Sequence, residues 1–340
     1  MVGRRKDSSG EKLPVRVYKT KYAYVWKPRD NQTVTLCKAD AAISEVWRAW
    51  EDAVEISSNK QTVQWLVEQF LRSADFCELA VATRKDYYKH SKFILDVFGK
   101  MDPDRVEPQH IRLYMDKRGL RSRVQANREK SFFSRVYRWA YERGLVKRNP
   151  CKGVRQFKET PRNKYITDVE YDAVFQCAPP AVKIAMELAY LCCARQSDVL
   201  TLRKSNILDE GLFIKQGKTG KEQVKAWSPR LRAIMALAKR LPIKKGMASQ
   251  YVIHKPDGSK YTRNGFNTTW AKARSEARIK TGLPLDFTFH DIKAKGISDL
   301  DGELHEKQRI SGHKSASQTA RYDRKADVVP AVDGFNERKK

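Results

Sequence analysis

Acidic residues are scarce in this chain: 40 Asp and Glu stand against 68 Lys and Arg, a formal charge of +28 over 340 residues. A surplus of that size, spread along the whole length, points to a polyanionic partner, nucleic acid before any other. Long hydrophobic runs are missing as well. No apolar stretch approaches the roughly 20 residues that cross a bilayer, and no basic amphipathic helix with a bulky apolar face offers itself to a membrane surface. The N-terminus is charged and lacks the apolar core of a signal peptide. The expected setting is therefore the cytoplasm, without a membrane partner. Cysteine is sparse and unpatterned: Cys37, Cys77, Cys151, Cys177, Cys192 and Cys193 form no C-x-x-C pair. This argues against a zinc site and for free thiols in a reducing compartment. There is no Walker A or dinucleotide-binding glycine motif, so nucleotide hydrolysis is not indicated. No metal and no cofactor is expected. Internal repeats and low-complexity tracts are absent too.

What is present reads as a multidomain, mainly α chain. Residues 1–55 begin with a basic arm, Arg4-Arg5-Lys6, and continue in short alternating segments around 15–18, 22–26 and 33–36. These predict a three-stranded meander, covered by a helix with Ile43, Val46, Trp47, Trp50 and Val54 on one face. Residues 56–59 read as a linker. Residues 60–155 predict a helical domain. Val63, Leu66, Val67, Phe70 and Leu71 form one stripe, and a second helix runs from an N-cap at Thr83 to Gly99. A third helix follows Pro108, and a fourth carries Phe132, Val136 and Ala140. Between 117 and 148 basic residues crowd together. Arg121, Arg123, Arg128 and Arg135 are the ones expected, with Arg4, Arg5 and Lys6, to meet a DNA backbone, where each neutralised phosphate releases counterions. After a polar linker at 156–164, residues 165–340 predict a mostly helical domain interrupted by one β-hairpin, Gly211–Lys215 and Gln223–Trp227 around a Gly217/Gly220 turn.

That last domain carries an ordered set of donors. Arg195 lies in Leu-Cys-Cys-Ala-Arg-Gln-Ser-Asp and Lys218 in Gly-Lys-Thr-Gly-Lys. His290 and Lys293 share Phe-His-Asp-Ile-Lys; His313 sits in Ser-Gly-His-Lys-Ser and Tyr322 in Thr-Ala-Arg-Tyr-Asp-Arg. Cationic and imidazole groups converging on a phosphate, with a hydroxyl nucleophile last in the chain, suit phosphodiester transfer through a covalent phosphotyrosine. Each residue alone is ordinary; the remaining histidines, His90, His110, His254 and His305, have no such context and read as structural.

In order and spacing the set resembles the tyrosine recombinases, and its flanking residues look most like the phage lambda type of integrase. The resemblance implies that Tyr322 attacks the scissile phosphate to leave a 3′-phosphotyrosyl bond. It implies that Arg195 and His313 hold non-bridging oxygens, that Lys218 protonates the leaving 5′ oxygen, and that His290 acts as a base or a structural support. It also implies an arm-type DNA-binding domain at 1–55, a core-binding domain at 60–155 and a catalytic domain with a C-terminal tail at 165–340. The partner is then double-stranded DNA at core and arm-type sites, bound by a homotetramer. A host DNA-bending protein and an excision factor stay open as accessories. The tail, with Val328, Val329, Val332 and Phe335, is a candidate for packing on a neighbouring copy. One departure stands out: Lys293 occupies the position where the family usually has its second arginine, supplying the charge without the planar fork. That substitution keeps open a DNA-binding relative that does not cut. A type IB topoisomerase shares the chemistry, but the arm-like N-terminal module argues against it.

Overall fold

The computed structural model describes residues 12–28, 33–58, 61–326, 329 and 331. Arg4, Arg5 and Lys6 lie outside the described residues, as do Val328, Val332 and Phe335. The chain divides into two compact units, Met1–Thr160 and Pro161–Lys340.

The first unit opens with an antiparallel meander of β1 (Val17–Lys19), β2 (Ala23–Trp26) and β3 (Val34–Lys38). Its register pairs Tyr18 with Val25 and Ala23 with Lys38. Helix α1 (Ile43–Ser58) covers it, burying Val46 against Leu13, Val17, Tyr24 and Trp26. Two expectations shift here. Arg16 has φ +62°, so the first strand starts only at Val17. The linker expected at 56–59 is helical as far as Ser58.

The helical part follows the apolar stripes. In α2 (Val63–Arg72), Val63, Leu66, Val67 and Phe70 are buried, and Thr62 caps the helix by accepting from Trp65 N. After the short α3 (Ala74–Cys77), α4 (Val81–Phe98) begins ahead of the expected cap at Thr83, with Ala80 as N-cap. It ends at Gly99, which keeps a right-handed φ of −51°. Helices α5 (Pro108–Arg121) and α6 (Arg123–Tyr141) complete the core with Phe132, Phe133, Val136 and Tyr137. Each such side chain contributes about 1.5–3 kcal/mol by leaving water. A buried carboxylate, Glu129, crosses this core. It accepts from Tyr114 Oη at 2.6 Å and pairs with Arg118 at 2.8 Å.

The second unit is built around α8 (Pro180–Leu191), whose Ile184, Ala185, Met186, Leu188 and Ala189 are all buried. Against it pack α10 (Pro229–Lys239) and α12 (Phe289–Ser298), while α7 (Asp168–Cys177) pairs with α11 (Arg263–Thr281). Helix α12 approaches α8 closely at Gly296, where a Cβ would lie 2.3 Å from Tyr190 O. A short α9 (Gln196–Leu200) precedes the hairpin of β4 (Gly211–Lys215) and β5 (Glu222–Ala226), in register from Gly211/Ala226 to Lys215/Glu222. Trp227 falls just beyond the strand. Helices α13 (Leu304–Ser311) and α14 (Ala316–Ala320) close the described fold. Among the described residues no helix is long and apolar enough to cross a membrane.

Candidate active site

Helix ends supply most of the site. Arg195 is the N-cap residue of α9; its guanidinium is buried, Nη1 donates to Gln216 Oε1 at 2.7 Å, and Nη2 has no partner among the described residues. His290 and Lys293 lie in the first turns of α12, whose N-terminus is held by a capping box between Thr288 and Asp291. His313 follows Gly312, the left-handed C-cap of α13. Gly312 is demanded twice over. Its φ is +67°, and an added Cβ would stand 2.5 Å from Gln216 Nε2 and 2.6 Å from Gln223 Oε1.

Tyr322 lies just past α14, with its hydroxyl 2.7 Å from His290 Nε2. Its ring centroid is 4.8 Å from that of His313 and 5.9 Å from Lys293 Nζ. Ser298 pins the backbone at and just after this tyrosine: Oγ donates to Tyr322 O at 3.1 Å and accepts from Arg324 N at 2.7 Å. Arg324 in turn pairs with buried Asp291 at 2.7 Å, tying the segment after Tyr322 to the start of α12. Ser298, Arg324, Asp291 and Gln216 were not among the sequence-derived site residues. Asp291 alone carried a local signal, standing between His290 and Lys293.

The concentrated positive charge shows in the acid–base behaviour. Burial, then Arg195, pushes Lys293 down to about 8, although its ammonium also approaches Ser311 O at 3.5 Å. Burial, then Lys293 and Arg195, pushes His313 down to about 4. Its Nδ1 lies 3.2 Å from Thr319 Oγ1, and Nε2 is buried without a partner among the described residues. Where the Thr319 hydroxyl donates to Nδ1, the neutral ring keeps its proton on Nε2. His290 is lowered chiefly by desolvation, so it is neutral near pH 7 and can accept the tyrosine proton. Burial is also the main cause that raises the Tyr322 phenol. An anion bound among these groups would relieve their mutual repulsion.

The structure thus brings Arg195, His290, Lys293, His313 and Tyr322 together. Lys218 stands apart: it is exposed in the turn between β4 and β5, with no hydrogen bond or ion pair to the other five among those described. Lys295, two residues beyond Lys293, is committed elsewhere. It is buried between Asp168 at 2.6 Å and Asp299 at 2.8 Å. Cys192 and Cys193 are buried beneath the site, where loss of solvent pushes both thiols up.

In the first unit, Arg121, Arg123, Arg128 and Arg135 are all exposed around α5 and α6. Arg128 stands 3.7 Å from Glu159, and Arg135 lies 6.0 Å from the Tyr87 ring centre. Arg135 also lines a polar hollow of about 550 Å³ with Lys130, Arg138, Ser131 and Ser134. Other arginines of the same basic stretch are tied down, Arg118 to Glu129 and Arg143 to Asp75.

Residues 164–328 match the phage integrase family. The integrase of Escherichia phage HK022 is 30% identical over 197 residues, covering 55% of this chain and 54% of that protein. The integrase of Escherichia phage lambda is 24% identical over 221 residues, covering 57% and 56%. The chain therefore spans about half the length of the curated relatives it matches. In three dimensions, a lambda integrase dimer bound to a COC′ core site superposes with a TM-score of 0.70 at 20% identity, over 96% of this chain and 99% of that one. A lambda integrase tetramer bound to a Holliday junction gives 0.66 at 18% identity, over 90% and 97%. The family's match thus coincides with the domain that gathers these five side chains: residues 164–328 form a phage integrase family domain, and the chain as a whole has a fold similar to that of lambda integrase.

Proposed function

We propose that the chain is a site-specific recombinase that cuts and rejoins duplex DNA to integrate or excise a phage or mobile element. The observation that carries this reading is the 2.7 Å contact between Tyr322 Oη and His290 Nε2, set beside two buried nitrogens, Arg195 Nη2 and His313 Nε2, that no described residue satisfies. A hydroxyl next to a neutral base, among unspent donors, is arranged for attack on a phosphodiester.

In the forward step Tyr322 gives its proton to His290 and bonds to phosphorus. The bond to the 5′ oxygen breaks, and Lys218 supplies that oxygen with a proton from the hairpin turn. Arg195, Lys293 and His313 offset the charge on the non-bridging oxygens. Attack by a 5′-hydroxyl reverses the sequence and restores the diester, so no external energy is consumed. Burial makes a free Tyr322 phenolate costly, which favours proton transfer concerted with attack.

Around this chemistry, residues 1–55 with Arg4, Arg5 and Lys6 bind arm-type sites. Residues 60–155, through Arg121, Arg123, Arg128 and Arg135, and the domain 165–340 bind the core site. Four copies exchange strands between two DNAs. A host DNA-bending protein and an excision factor are candidate accessories. The dimer on a core site and the tetramer on a Holliday junction described for the lambda integrase structures support this assembly.

The test is a duplex bearing the direct repeat that bounds the element, nicked beside the cleaved phosphate so that the adduct is trapped. The parent should give a denaturation-stable protein–DNA band. Tyr322→Phe should bind the same duplex and give none; a band from that variant would refute the role of Tyr322.

A further inference from the structure

Gln216 is the polar side chain through which several parts of the site meet. It is buried just after β4, two residues before Lys218. Its Oε1 accepts from Arg195 Nη1 at 2.7 Å and from Thr219 Oγ1 at 3.0 Å, while Nε2 donates to Ser311 O at 2.9 Å. The orientation of the amide is forced by its neighbours: reversing it would set an NH2 against the Arg195 guanidinium and a carbonyl against Ser311 O. Thr219 belongs to the same turn as Lys218. Ser311 O also receives Lys293 Nζ and lies two residues from His313. No other described side chain hydrogen-bonds the Arg195 guanidinium.

We infer that Gln216 is a positioning residue for the phosphate clamp. By occupying Nη1 it fixes the guanidinium plane and leaves Nη2 as the free donor. It also holds the turn that carries Lys218 in register with Arg195 and the end of α13. A neutral amide suits this task better than a carboxylate, which would pair with Arg195 and cancel the charge meant for the phosphate. The inference rests on the recombinase reading, since it assigns Gln216 a role through Arg195 in that reaction.

The test compares two versions of the nicked direct-repeat duplex, one with an ordinary scissile phosphodiester and one with a methylphosphonate there. The methylphosphonate lacks the anionic oxygen that Arg195 is needed to offset. Gln216→Met keeps the volume and loses all three hydrogen bonds; Gln216→Glu keeps the shape and adds charge. Each variant should bind the duplex like the parent. Covalent adduct should form roughly tenfold or more slowly on the phosphodiester, in the range seen when a donor to a developing oxyanion is disturbed. On the methylphosphonate the loss should shrink to about threefold or less, because neutralisation is no longer required there. Equal slowing on both substrates would reduce Gln216 to a packing role and overturn the inference, as would no slowing on either. If the parent itself formed no adduct with the phosphodiester, the recombinase reading would fall instead. Should Gln216→Met fail to fold, the isosteric Gln216→Glu carries the same comparison.

Discussion

Lys293 should make the protein less stable than it would be without that charge. Its side chain is 1% exposed, and among the described residues its ammonium hydrogen-bonds only to Ser311 O, at 3.5 Å. Bringing a lysine from 10.5 down to about 8 corresponds to roughly 3 kcal/mol of destabilisation at neutral pH. A basic group whose folded pKa is depressed is held more tightly protonated by the unfolded chain. The cost is therefore present in full below about pH 8 and fades as pH rises towards 10.5, so this group makes stability increase with pH across that window. Lys293→Met keeps the length and removes the charge. At pH 7 it should raise the melting temperature of the second unit by roughly 5–10 °C, taking a few degrees per kcal/mol for a unit of this size and allowing for imperfect packing. The gap between parent and variant should narrow above pH 10, and added sulfate should stabilise the parent more than the variant. Thermal melts of the full chain across pH, with and without sulfate, make the measurement. A variant that melts at or below the parent at pH 7 would refute the account.

The same depressed value predicts a pH limit on activity. Adduct formation by the parent should fall as pH rises through about 8, whereas Lys293→Arg stays charged and should keep cleaving at higher pH; Lys293→Ala should lose most cleavage throughout. A cleavage profile shared by Lys293→Ala and the parent on the suicide duplex would remove Lys293 from the site. Gly312→Ala combines a left-handed backbone with a Cβ 2.5 Å from Gln216 Nε2. It should cost about 1–3 kcal/mol and slow adduct formation, read from denaturant melts and the trapping assay; unchanged behaviour in both would contradict the described packing. Arg118→Ala leaves Glu129, fully buried, with Tyr114 as its remaining side-chain partner. A loss of about 3–5 kcal/mol is expected in urea unfolding of the first unit, and a loss under 1 kcal/mol would refute the buried ion pair as a contact that stabilises this core.

Apolar periodicity made the helices and the hairpin legible in the sequence, because the stripes at Val63–Phe70 and Phe132–Ala140 are the faces that become buried. Ends were less legible. Helix α4 starts ahead of Thr83, at Ala80, which makes no side-chain capping hydrogen bond that would advertise it. The reactive residues could be read because ionisable types recur at fixed distances in Phe-His-Asp-Ile-Lys and Ser-Gly-His-Lys-Ser. Their supports could not. Gln216, Ser298 and Arg324 act over sequence separations of 21 (to Arg195), 24 (to Tyr322) and 33 (to Asp291) residues, and a glutamine or serine at a strand or helix end looks like any solvated one. Lys295, two residues beyond Lys293 and so on a different helix face, is turned by the fold towards two aspartates.

The last turn of α13 has a consequence for how the protein meets salt. Its three successive carbonyls, Arg309, Ile310 and Ser311, receive Gln223, Lys225 and Gln216 together with Lys293. The negative pole of a helix thus serves as a fixed counter-ion to two lysines. A phosphate bound beside them meets lysine charge that the helix end already compensates in part. At this one contact, affinity should respond less to ionic strength than at the solvent-facing arginines of α6, and the salt dependence of binding should report mainly on the latter.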